Sequence, residues 1–296
     1  MTALRIAAAA VLGLAAAAPG RAEPANESGA ASPWVELHAS RARLVAGQIK
    51  TADGARLAGL EILMDDGWKT YWRMPGDAGV PPNFDWSGSV NAADVKVLYP
   101  APMRMAEASG EVIGYKHAVL FPIEVRPQDA AKPVDLKLVL EFGICSDICV
   151  PAVANLELAL PPVGKAAKLD VVAAAVERVP RPAAARRSTD PELKEVRVED
   201  GEPSARLSVA AAFHGAKGGD VFVEAPDGLY VPMLRRLADG EVGVVRFAAD
   251  LSGDLTRDLR GRTITVTLVS EAGASEAKWT LPELPAASRF RGSDGR

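Results

Sequence analysis

Cysteine is almost absent from this 296-residue chain, which carries two, Cys145 and Cys149. So few exclude a disulfide-stapled scaffold, in which several bridges stand in for a core. Histidine is nearly as scarce: His38, His117 and His214 are scattered, whereas zinc usually takes four ligands, so a structural metal site is disfavoured. Basic blocks are missing too. Removing residues 1–22 moves the formal net charge from −4 to −6 by taking away Arg5 and Arg21, and no surviving stretch suits a nucleic-acid backbone. Beyond residue 18 no apolar run approaches the roughly 20 residues that a membrane-spanning helix needs, so the mature chain is expected to be soluble.

What is present begins with an export signal. Arg5, the apolar run 6–18 and the small residues of Pro19-Gly20-Arg21-Ala22 read as a cleaved secretory peptide over 1–22, with an uncleaved anchor as the alternative, and either points to export into an oxidising compartment. Residues 23–32 are small and polar and are expected to form a disordered tail.

From 33 to 162 the apolar residues recur with period two, the mark of strands with one buried face. The clearest run is Val134, Leu136, Leu138, Leu140, Phe142 and Ile144, with Asp135, Lys137 and Glu141 on the other side. Turn signals such as Asp65-Asp66-Gly67, Pro75-Gly76-Asp77 and Pro81-Pro82 separate the strands, which predicts an all-β chain opening with an antiparallel β-sandwich. Residues 165–179 break the rhythm, with Leu169, Val172 and Val176 at helical spacing, and 180–187 have the composition of a linker. The segment 163–191 is therefore read as a short helix and connector, either a hinge for domain movement or an ordered strap. Period two returns over 192–285 and predicts a second, smaller β-sandwich, followed by a polar tail over 286–296.

The two cysteines stand in Gly143-Ile144-Cys145-Ser146-Asp147-Ile148-Cys149-Val150-Pro151, where one alternating strand ends and another begins. Ser146, Asp147 and Ile148 make a three-residue hairpin loop, and facing residues at its mouth have Cα atoms about 4.5–5.5 Å apart, within a disulfide's span. A bond closing about five residues stabilises by only ~2 kcal/mol in the chain-entropy model, so it is a weak staple, and its redox state is the more telling property. Asp147 either fills an ordinary turn position or disfavours a second anion beside it and so damps thiolate formation. Pro151 cannot donate to a ladder and marks an edge or a bulge, or simply ends the pairing.

A set of motifs in fixed order then resembles a known family. Gly67-Trp68-Lys69-Thr70-Tyr71-Trp72-Arg73, Pro75-Gly76-Asp77-Ala78-Gly79-Val80-Pro81-Pro82, Tyr99-Pro100-Ala101-Pro102, Gly114-Tyr115 and the segment 145–151 are similar to the N-terminal periplasmic domain of the thiol:disulfide interchange protein DsbD family, in its ScsB-like form. The resemblance implies an immunoglobulin-like sandwich and a second one behind it. It implies catalytic Cys145 and Cys149 with no organic cofactor, Cys149 forming the mixed disulfide and Cys145 resolving it. It also implies a cap loop at Glu107, Ala108, Ser109 and Gly110, without the family's aromatic cap residue. Trp68, Tyr71, Trp72 and Tyr115 are candidates to shield the sulfurs, or are core aromatics. The family's membrane domain and Cys-x-x-Cys domain are not read in this sequence. The implied partners are therefore a separate CcdA-like membrane electron carrier and thioredoxin-like periplasmic proteins. Alternatives from other classes are an adaptor or binding module with a structural disulfide, and copper handling, in which the reduced pair takes Cu(I).

Overall fold

The computed structural model describes residues 31–50, 54–107, 110–162, 171–214, 218–237 and 243–283. The expected signal peptide and the tail from 286 lie outside the described residues. The expected N-terminal tail ends sooner than composition suggests: Ala31 bridges to Val45, and Ser32 is buried, its Oγ accepting from the Leu44 N–H at 2.9 Å.

In chain order the first strands are β1 (Val35–Leu37), β2 (Ser40–Lys50), β3 (Arg56–Met64), β4 (Lys69–Gly76), β5 (Asn83–Asp85) and β6 (Ala92–Val97). They continue as β7 (Met103–Glu107), β8 (Gly110–Lys116), β9 (Ala118–Pro127), β10 (Val134–Cys145) and β11 (Cys149–Leu160). Two sheets result, ordered β1-β2-β3-β9-β6 and β11-β10-β4-β8-β7, with β5 added to β10. Their shared core takes Leu44, Leu60, Ile62, Phe121 and Ile123 from one sheet and Trp72, Leu136, Leu138 and Leu140 from the other. Each such leucine contributes about 2 kcal/mol by leaving water, and the alternation seen in the β10 sequence is the alternation of its burial. The core residues thus fix the register of β10 on β11, from Val134↔Leu160 to Cys145↔Cys149.

The chain then passes through α1 (Val171–Val176), β12 (Arg181–Pro182), β13 (Glu192–Glu199), β14 (Ala205–Ala212), β15 (Asp220–Glu224) and β16 (Arg235–Arg236). It ends with β17 (Val244–Leu251), α2 (Gly253–Leu259), β18 (Thr263–Ser270) and β19 (Gly273–Thr280). Sheets β12-β19-β18-β15 and β13-β14-β17-β16 enclose a second core of Leu207, Val209, Val221, Phe247, Ile264 and Val266.

The described part of the connector, from Val171 on, packs on both sandwiches, while 163–170 lie outside the described residues. Val172 of α1 is fully buried against Val45 and Leu57 of the first sandwich. Nine residues on, Arg181 and Pro182 pair in parallel with Ser275 and Glu276 of β19. Asp190 is fully buried there, accepting from the Arg187 N–H at 2.8 Å. The two sandwiches also meet directly. Arg73 forks onto Glu224 at 2.8 and 2.7 Å and reaches Glu276, and Arg104 forks onto Asp220 at 2.9 and 2.7 Å. Phe222 of β15 packs on Trp72, ring centroids 5.7 Å apart.

Candidate redox site

The site grows out of the β10–β11 hairpin. Even-numbered residues of β10 face the core, so Val139, Glu141, Gly143 and Cys145 lie on the outer face of the sheet, opposite Asn155, Val153, Pro151 and Cys149. Ser146, Asp147 and Ile148 form the loop, closed by Ser146 N–H donating to the Ile148 carbonyl at 3.0 Å. Cys145 and Cys149 are joined by a disulfide with Cα atoms 4.1 Å apart.

The two sulfurs have different surroundings. Cys145 is 0% exposed, packed with Tyr71, Met105 and Val112, whereas Cys149 on the edge strand is exposed. Tyr71 lies over the bond because two glycines leave room for its ring. A Cβ on Gly79 would fall 2.6 Å from Tyr71 Cδ1, and one on Gly143 would fall 3.3 Å from Cε2. The Tyr71 hydroxyl is 3.3 Å from Cys149 Sγ, and since a disulfide sulfur carries no hydrogen, the phenol donates. Burial, and then the Glu107 charge, push the Tyr71 pKa up to about 12, so the donor proton stays in place at neutral pH. Lys69 is Cys145's ladder partner on β4. Its ammonium donates to the Ser146 carbonyl at 3.2 Å and pairs with Glu107 at 2.8 Å, tying the cysteine loop to the end of β7.

Strand alternation sorts the remaining candidates. Trp72 points to the opposite face of β4 from Tyr71, into the core and against Phe222. Tyr115 also faces the core, its hydroxyl donating to the Pro100 carbonyl at 2.8 Å, and Trp68 packs edge-on to His38 at 4.9 Å. Of the two readings offered for these three, shielding or core packing, their contacts are those of packing residues. Asp147 is exposed at the loop tip, and Pro151 is exposed on β11 opposite Gly143. Glu107 and Gly110 face each other at the tip of the β7–β8 hairpin, while Ala108 and Ser109 lie outside the described residues. Sequence reasoning missed Lys69, Met105 and Val112. The first was legible as the residue two before Tyr71 on one strand face, but the other two needed the β7–β8 pairing. Among the described residues no group of three or more His, Cys, Asp or Glu could hold a metal ion, and no helix is long and apolar enough to cross a membrane.

Residues 41–161 match the family of the thiol:disulfide interchange protein DsbD, N-terminal domain. The matched stretch contains both cysteines and almost all of the first sandwich. Comparison with solved structures adds the N-terminal periplasmic domain of ScsB from Proteus mirabilis, 22% identical, with a TM-score of 0.66 over 87% of this chain and 100% of that one. The overlap extends well beyond the DsbD N-terminal region, so both sandwiches share the ScsB domain's fold. No curated protein sequence matches. A DsbD-type region with a cysteine pair at disulfide distance points to thiol–disulfide exchange.

Proposed function

We propose that this protein is a periplasmic thiol–disulfide exchange module in which Cys149 meets the partner and Cys145 resolves the mixed disulfide. The observation that carries the reading is the asymmetry of the pair, one sulfur wholly buried and the other exposed on an edge strand. In the reducing direction the Cys149 thiolate attacks one sulfur of a partner disulfide, and the partner's other sulfur leaves as a thiolate and takes up a proton. Cys145 then loses its proton and attacks Cys149 Sγ, the mixed disulfide breaks, and the partner's first sulfur leaves and is protonated. Two electrons and two protons pass to the partner, and the Cys145–Cys149 bond is restored.

The surrounding groups suit these steps. The Tyr71 hydroxyl donates to Cys149 Sγ and stabilises negative charge that develops there. Lys69, buried beside the loop, holds the backbone of Ser146 while its charge is balanced by Glu107. Recharging requires a dithiol donor, for which a CcdA-like membrane carrier and thioredoxin-like proteins are the proposed partners. The likeness to a periplasmic domain and the export signal support the location. The test is a trap with a thioredoxin-like partner that keeps one active-site cysteine, activated as a mixed disulfide with thionitrobenzoate: reduced Cys145→Ser should displace thionitrobenzoate and accumulate a covalent complex on non-reducing electrophoresis, and Cys149→Ser should not. Trapping through Cys145 would reverse the roles, and no complex from either variant would refute exchange.

A further inference from the structure

The β7–β8 hairpin has two working faces. Met105 and Val112, ladder partners, cover Cys145, and Glu107 on the same face pairs with Lys69 beside the disulfide. Arg104 alternates to the other face and is gripped there by the second sandwich. Its guanidinium takes both oxygens of Asp220, donates to the Leu234 carbonyl at 3.0 Å, and holds Glu111 of β8 at 3.1 Å. A second tie runs through Asp77, just past β4. One Asp77 oxygen accepts from the Glu111 N–H at 3.2 Å, the other accepts from the Tyr230 hydroxyl, and the Asp77 N–H donates to the Glu111 carbonyl at 3.1 Å.

We infer that the second sandwich sets the reactivity of the disulfide by seating the β7–β8 hairpin on Cys145, with Arg104, Asp220, Asp77 and Tyr230 as positioning residues. This rests on the exchange reading above and gives a task to a domain that has no cysteine of its own. The arrangement is specific to the hairpin. Arg73 with Glu224 and Glu276 joins the same two sandwiches, yet its hydrogen bonds go to those two carboxylates and to neither β7 nor β8 among the described residues. That second junction supplies an internal control.

The experiment uses the full chain and measures the rate at which dithiothreitol reduces the Cys145–Cys149 bond in four proteins: wild type, Tyr230→Phe, the double variant Tyr230→Phe/Asp220→Asn, and Glu276→Gln. Tyr230 is half exposed, so losing its hydroxyl leaves the fold intact, and an unchanged near-ultraviolet spectrum checks this. The rate should rise about fivefold in the double variant: attack at the exposed Cys149 expels the Cys145 thiolate, which an unseated hairpin leaves to water, and fivefold is the factor by which one hydrogen bond of ordinary net strength shifts an equilibrium between seated and unseated states. Tyr230→Phe should give a smaller rise and Glu276→Gln none. A double-variant rate within twofold of wild type, or an equal rise in Glu276→Gln, would overturn the inference. If either is found while Cys145→Ser still traps a partner, only this inference falls; loss of the trap in the otherwise unmodified chain removes the exchange reading instead.

Discussion

Tyr71→Phe isolates a single hydrogen bond at the exposed sulfur, the one proposed to meet the partner. The ring is fully buried between Gly79 and Gly143 and is retained, so only the hydroxyl 3.3 Å from Cys149 Sγ is lost. In the reduced protein this donor faces a thiolate, and hydrogen bonds to charged groups contribute about 1.5–3 kcal/mol. Cys149 is exposed and water replaces part of the loss, so the lower figure applies: the thiolate fraction at neutral pH should fall about tenfold. A more basic thiolate is intrinsically more nucleophilic, with a Brønsted slope of about 0.4–0.5, which recovers roughly threefold and leaves a net loss of about threefold in attack rate. The assay is iodoacetamide alkylation of Cys149 in a Cys145→Ser background across pH, with and without Tyr71→Phe. The profile should move to higher pH in the Phe variant and its high-pH plateau should rise. A profile that stays in place, or moves to lower pH, would show that the hydroxyl does not act on the thiolate.

Two further outcomes concern stability. Because the disulfide closes a loop of about five residues, the Cys145→Ala/Cys149→Ala variant should lose ~2 kcal/mol, lowering Tm by about 4–8 °C, and should keep its strand signature by circular dichroism; wholesale unfolding would mark the bond as structural. A fragment 31–179 should fold and keep the disulfide, whereas 31–162 should be less stable by about 2 kcal/mol in urea, because Val172 no longer covers Val45 and Leu57. Equal urea midpoints would detach α1 from the first sandwich.

The sheet content was legible because period-two burial is strong: the β10 residues at even positions are the core residues, and the hairpin loop follows from where that alternation stops. The pairing of Cys145 with Cys149 was legible for the same reason, as the mouth of a three-residue loop. The shielding aromatics were not. Tyr71 and Trp72 are adjacent in sequence and alike in chemistry, and only the direction in which β4 is pleated sends one to the sulfurs and the other to Phe222. Met105 and Val112 come from strands that reach the site through sheet order, which sequence spacing does not carry. Composition left the connector open between hinge and strap, and the contact that ties its described part down lies 94 residues away, Arg181 with Ser275, which spacing does not carry.

The place of the hairpin at one end of its sheet also governs the line along which a partner can come. A nucleophile displaces a thiolate from a disulfide by approaching along the extension of the sulfur–sulfur axis, and between directly opposed residues that axis runs across the strands. Extended past Cys145, it leads toward β4, where Lys69 and Tyr71 occupy the way. Extended past Cys149, it leaves the sheet altogether, because among the described residues no strand lies beyond β11. In the proposed exchange, sheet order by itself thus leaves one stereochemically open trajectory, and the choice between two chemically identical sulfur atoms would follow from which of them has a neighbouring strand.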